Sequence, residues 1–458
     1  MAWSWLKAKP LVLAGMAFIF ISGIAGGTIL VNGSGNPSPR TAASRTQPEG
    51  TAAQTNANTP SLTSPRQQTC ATATATGCDR RNLPPAGSNG SPGCKGRGKA
   101  AITASPIALS DLLYIQPMGL EIGGHVTPID HGYFYIKGAA AKPPTIAPVY
   151  APFAGNVSVV NRTIRNAAPG SNAGAQVPAT YDDDAVTIEA TCTFRVRYSN
   201  LLGFGGALLQ AIGQLQPNEN KPLTYAVKAG ELIGYTGLPT AYGIDVWVEN
   251  DDAILTGFIK PAQYAAAESW KLHMVDLYDN TVEPVKSQLL AFAMRDANPR
   301  FGKIDYDIDG KLIGSWFKVG SGGYGANMHG AEGYWVGHLS IVPDGNDPTQ
   351  IVISLGDYQG QAQQFAVVAQ QPDPASVDQS TGLVKYELGQ IQLYSATTGQ
   401  VWGGQQYLPH IRARASGPVA GTILVQLTGM RELKMETFPT KTAAQVSGFD
   451  AGALAYER

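Results

Sequence analysis

Charge is scarce in this chain. Asp, Glu, Lys and Arg make up 15% of its 458 residues, against roughly 25% in ordinary soluble domains, which excludes a charged helical bundle or coiled coil. Histidine stops at six and cysteine at four, so imidazole or thiolate chemistry must draw on very few positions. No Gly-x-Ser-x-Gly elbow, phosphate loop or dinucleotide fingerprint occurs. Residues 32–100 have no aromatic and only Leu62 and Leu83 as large aliphatics. Such a segment cannot bury enough apolar surface to offset its ordering entropy, and it reads as a disordered tether. The formal charge of −1 conceals an asymmetry. The tether holds eight Arg or Lys against Glu49 and Asp79, so the chain beyond residue 100 is net acidic. That excludes a general nucleic-acid role, which needs a basic face.

What is present begins with an uncharged run, Leu11–Val31, whose 21 residues suffice to cross a hydrocarbon core of about 30 Å. Lys7 and Lys9 precede it, which places the N-terminus in the cytoplasm and the remainder outside. The lack of a clean small-x-small cleavage site favours an uncleaved anchor over a cleaved signal peptide. The tether's basic charge suits anionic envelope polymers or head groups as well as it suits a plain solvated spacer. Cys70, Cys78 and Cys94 fall in the tether, with spacings that match no zinc module. Cys192 lies in an apolar run and reads as a buried small hydrophobe.

Gly 53 and Pro 31 are abundant, and from Ile102 short apolar runs recur between turn-forming clusters. They read as strands near 112–115, 132–136, 149–160, 185–198, 232–235 and 244–249. A helix is expected over 282–294, since Val285, Leu289 and Phe292 share one face. A second series follows near 312–319, 334–342, 351–355, 365–369, 383–394 and 422–427. The fold class is therefore mainly β: a first β domain with a helix over 101–300, then a sandwich or small barrel over 301–458, behind the anchor (1–31) and tether (32–100).

The densest polar cluster is Gly123-Gly124-His125-Val126-Thr127-Pro128-Ile129-Asp130-His131. Two imidazoles and a carboxylate within seven residues suit a metal site; a hydrogen-bonded Thr-Pro turn is an equal reading. Three further segments accompany it: Pro148-Val149-Tyr150-Ala151-Pro152-Phe153-Ala154-Gly155-Asn156-Val157, Tyr198-Ser199-Asn200-Leu201, and Val227-Lys228-Ala229-Gly230-Glu231-Leu232-Ile233-Gly234-Tyr235-Thr236-Gly237. In this order they resemble the lysostaphin-type zinc endopeptidases, which cut peptide cross-bridges of peptidoglycan, over about residues 111–250.

The resemblance implies a small lipoyl-like sheet, with zinc ligands at His125 and Asp130, one residue further apart than usual. It also implies a catalytic His where this chain has Asn200. The family's His-x-His-aromatic-Glu strand becomes Asp245-Val246-Trp247-Val248-Glu249. Trp247 cannot replace a ligand imidazole, because indole nitrogen only donates. An altered zinc set would have to draw on His125, His131 and either Asp130 or Asp245. The expected function is a membrane-anchored or secreted, non-proteolytic binding or structural protein, with peptidoglycan or another surface glycopolymer as partner. The alternative is a zinc hydrolase with rearranged ligands.

Tyr181-Asp182-Asp183-Asp184 and Asp305–Gly310 each resemble part of a calcium loop, but both read as turns; the second has Trp316 where a Glu would complete it. Aromatics recur after residue 310, including Trp316, Phe317, Tyr324, Tyr358, Trp402 and Tyr407. Core packing accounts for most of them. The Gly320–Gly330 loop, with Tyr324 and His329, is the candidate contact surface for sugars.

Overall fold

The computed structural model describes residues 91, 94–141, 143–166, 180–237, 241–325 and 334–458. The expected anchor, most of the tether, Cys70, Cys78 and His329 lie outside the described residues. Within them, no helix is long and apolar enough to cross a membrane.

The first half is a nine-stranded antiparallel sheet. Its strands are β1 Leu112–Gln116, β2 Gly132–Ile136, β3 Ala147–Tyr150, β4 Gly155–Asn166, β5 Thr180–Glu189, β6 Phe194–Phe204, β7 Asn220–Val227, β8 Leu232–Thr236 and β9 Gly243–Asn250. The main path runs β1-β2-β9-β6-β5-β4-β7, with β3 and β8 branching from β6. Phe134, Val157, Ile188, Val196, Ile244 and Val248 build its core. The run 149–160 divides because Pro152 cannot donate to a ladder; its carbonyl instead accepts from Thr103 and Ala104. The run 185–198 also divides, at a turn that holds Cys192.

That turn corrects two expectations. Cys192 is not a lone core hydrophobe but is disulfide-bonded to Cys94. Residues 94–100 are likewise not free tether. Cys192 N donates to Gly96 O (3.0 Å), Thr191 Oγ1 to Gly98 O (2.8 Å), and Arg97 reaches Asp252 (2.6 Å). A covalent bond and a set of polar contacts hold this strip where apolar burial could not.

The expected helix is shorter than its periodicity implied, spanning Val285–Leu290 behind Pro284, with Leu289 buried. Two others form: Gly206–Ile212 and Pro261–Glu268. A 3-10 turn, Ser269–His273, follows the latter.

The second half is a closed barrel of β10 Gly314–Lys318, β11 His338–Pro343, β12 Ile351–Tyr358, β13 Gln361–Val367, β14 Val384–Ser395, β15 Ile411–Gly429, β16 Glu432–Pro439 and β17 Leu454–Glu457. β17 returns to β10 through the pairs Phe317↔Glu457 and Lys318↔Tyr456. Trp316, Leu339, Ile353, Tyr386, Val425 and Leu433 fill its interior. Of the two architectures the sequence left open, the barrel forms.

Candidate functional site

Strand register assembles the site. β2 lies against β9 with Tyr133 opposite Asp245, and β6 lies on the other side of β9 with Ser199 opposite Asp245, Arg197 opposite Trp247 and Arg195 opposite Glu249. Asp245, Trp247 and Glu249 alternate along β9, so they share one face of the sheet. His131 enters from the residue before β2. Three of the four expected metal residues are thereby brought together: Asp130, His131 and Asp245.

His131 sits between the two carboxylates. Its Nδ1 is 2.9 Å from Asp130 Oδ1, and its Nε2 is 3.7 Å from Asp245 Oδ2. Ser199 Oγ donates to the same Asp245 oxygen at 3.0 Å. His125 is half-buried, its ring 6.2 Å from that of His131.

Asp130 is the most heavily bonded group. Trp247 Nε1 donates to Oδ1 at 3.0 Å, and Trp270 Nε1, from the 3-10 turn, donates to Oδ2 at 2.7 Å. The Arg197 guanidinium lies 4.0 Å from the Trp247 ring and 4.9 Å from that of Trp270, a cation–π stack that orients both indoles. Burial would raise the Asp130 pKa, but the His131 hydrogen bond and the charges of Lys271, His131 and Arg197 outweigh it and hold the carboxyl well below its usual range. Burial pushes Asp245 the other way, above its ordinary value, with His131 and the hydrogen bonds from Ser199 and Asn200 offsetting only part.

These residues do not fit zinc by the family scheme. Both oxygens of Asp130 already accept N–H donors, from the buried Trp247 and the half-buried Trp270, so a metal there would compete with these bonds for the remaining lone-pair positions. Among the described residues, no group of three or more His, Cys, Asp and Glu side chains is arranged to hold a metal ion. Asn200 holds a left-handed backbone (φ 61°), which Asn tolerates. Its N–H donates to Asp183 Oδ1 at 3.1 Å and its carbonyl accepts from Thr236 Oγ1 at 3.0 Å, both structural contacts.

The barrel closes the site from above. Gln364 of β13 makes two bonds to Gly123, accepting from its N–H at 2.9 Å and donating to its carbonyl at 2.8 Å. A Cβ on Gly124 would lie 3.0 Å from the Trp335 ring, so any larger residue would have to push that ring back. The loop that bears His125 is thus pinned to the barrel. Sequence reasoning missed Trp270, Arg197, Lys271 and Gln364, because each reaches the site through a non-local contact that no motif marks.

Tyr324 is 4% exposed and does not form a surface platform. Its ring stacks on Tyr264 (4.3 Å between centroids), and its hydroxyl donates to Glu268 and accepts from Lys271 Nζ at 3.1 Å. Trp316, Phe317 and Tyr358 are buried as well. The calcium-like segments are satisfied from within the chain. Arg162 holds Asp184 with two bonds of 2.9 Å, Arg165 holds Asp183, and Asp307 accepts from Ser315 and Ile259 N–H. A cavity of about 260 Å³ lies elsewhere, between Tyr114, Tyr135, Tyr242 and the Gly404–Gln405 loop.

No family model matches the sequence, and no curated protein does. Among solved structures, the binding domain of Paraclostridial Mosquitocidal Protein 1 is similar at 7% identity, covering 76% of this chain and 92% of that one, with a TM-score of 0.15. A score that low carries no statement about fold or function.

Proposed function

We propose that this chain is an extracytoplasmic binding or structural protein, built on a lysostaphin-like sheet that has given up hydrolysis, with peptidoglycan or a related surface glycopolymer as its partner. The observation that carries this reading is the double indole cap on Asp130. Asp130 Oδ1 accepts from Trp247 and faces His131 Nδ1, and Oδ2 accepts from Trp270, so indole donors orient this carboxylate where the family scheme places a further ligand imidazole, which an indole cannot imitate. Ser199, the hydroxyl on the facing strand, donates to Asp245 rather than to His131, so it is not paired with a base as an activated nucleophile would be. The Cys94–Cys192 disulfide supports an oxidising compartment. The tyrosine-lined cavity supports a sugar ligand by offering aromatic faces on which a ring can stack.

The test is to incubate the purified chain with insoluble peptidoglycan, then measure sedimentation, released fragments and zinc content together. Co-sedimentation without release and without stoichiometric zinc supports the reading. Release of soluble fragments by a chain carrying about one zinc would overturn it in favour of a rearranged hydrolase.

A further inference from the structure

Three loops meet where the sheet packs on the barrel: residues 119–122 before β2, residues 303–306, and the turn 344–347 between β11 and β12. Their approach is close. A Cβ on Gly119 would lie 2.1 Å from Lys303 O, and one on Gly345 would lie 2.8 Å from Gly119 O. On the first of these loops Glu121 is 7% exposed, and neither of its oxygens has a hydrogen-bond partner beyond its own backbone amide. Asn346 Oδ1 and Tyr306 Oη are also buried without a partner. Asp344 is buried beside them, its Oδ1 accepting from the Asn346 and Asp347 N–H groups at 2.9 and 2.8 Å.

The neighbouring cations do not supply what is missing. Arg295 directs Nε to the carbonyls of Ala297 and Pro299 and Nη1 to that of Gly345. Lys271 Nζ is engaged with Tyr324 Oη. Lys303 pairs with Asp305. The atoms without a partner are therefore all oxygens, both of the Glu121 carboxyl, the Asn346 amide carbonyl and the Tyr306 phenol, with the bonded carboxylate of Asp344 beside them. Burying such a set unpaired is costly, and oxygen-only sets are what hard divalent cations select.

We propose that Glu121, Asp344, Asn346 and Tyr306 form a calcium-class cation site that locks the sheet to the barrel. With only two carboxylates it lies outside any cluster of three acidic or imidazole ligands, and water would complete the usual six to eight oxygens. The segment Asp305–Gly310 contributes its tyrosine here, not its aspartates, which are bonded elsewhere.

The experiment compares the full chain stripped with a chelator against the same chain given calcium alone. The expected result is a melting midpoint raised by about 3 °C or more in millimolar calcium. Glu121→Gln keeps the shape and should abolish that rise. Terbium, which takes calcium's place, should luminesce when tyrosine is excited, and Tyr306→Phe should remove most of that signal. If Glu121→Gln does not fold, Asn346→Ala and Tyr306→Phe carry the comparison. No calcium response in the parent, or a full response retained in these variants, overturns the site.

Discussion

At the scale of the residue, Asp130 organises its surroundings. It is a buried anion held by one imidazole and two indoles, and each donor to a buried charge contributes about 1.5–3 kcal/mol. Trp270→Phe keeps the ring but removes one donor. It is expected to lower stability by about 2 kcal/mol, read as a lower urea midpoint with an unchanged slope. Half of this site was legible in the sequence. The short span His125–His131 and the departure at Trp247 both pointed to it, and neighbouring strands then brought Asp130, His131 and Asp245 together. The other half was not. An indole in place of an imidazole reads as a lost ligand; that it would instead bond the remaining carboxylate depends on Arg197 across the strand and on Trp270 in a turn with no sequence signature.

At the scale of the element, apolar runs located most strands, but not those whose pairing comes from a neighbour. β7, with Asn220-Lys221-Pro222, is not marked by an apolar run and is paired with β4 along six register positions. β16 alternates charged and apolar residues and is fixed by β15 over eight. Strand limits slipped wherever a turn interrupted an apolar run, as at Pro152 and Cys192. The loop 120–126 is held by Gln364, so Gln364→Ala is expected to speed amide exchange at Gly123 by tenfold or more, corresponding to about 1.4 kcal/mol or more of local opening energy. Exchange in β5 and β14 should not change. Uniform acceleration across the sheet would contradict a local pin.

At the scale of the whole molecule, sheet and barrel share a polar seam in which His338 is 1% exposed, its ring set against Tyr324 and edge-on to Phe317. Burial and the nearby charge of Lys271 push its pKa down from 6.5 to about 3, with only partial relief from the Gly323 backbone. A depressed folded value means that its contribution is fully present above the unfolded pKa of 6.5 and is lost as pH falls from there toward 3. The parent is expected to lose on the order of a few kcal/mol more than His338→Phe over that window. Denaturant midpoints at pH 7 and pH 4 check this. The two ends of the nine-stranded sheet also differ in their protection. The outer side of β1 is occupied by Phe292–Met294, with Ile115 N–H bonded to Phe292 O and Met294 N–H to Ile115 O. β7 carries Pro222, which has no N–H to offer, and the barrel has no open side at all. Among the described residues, the main path of the sheet thus ends on one side in a strand already bonded to a neighbouring segment and on the other in a strand interrupted by proline, both features that disfavour edge-to-edge pairing between copies.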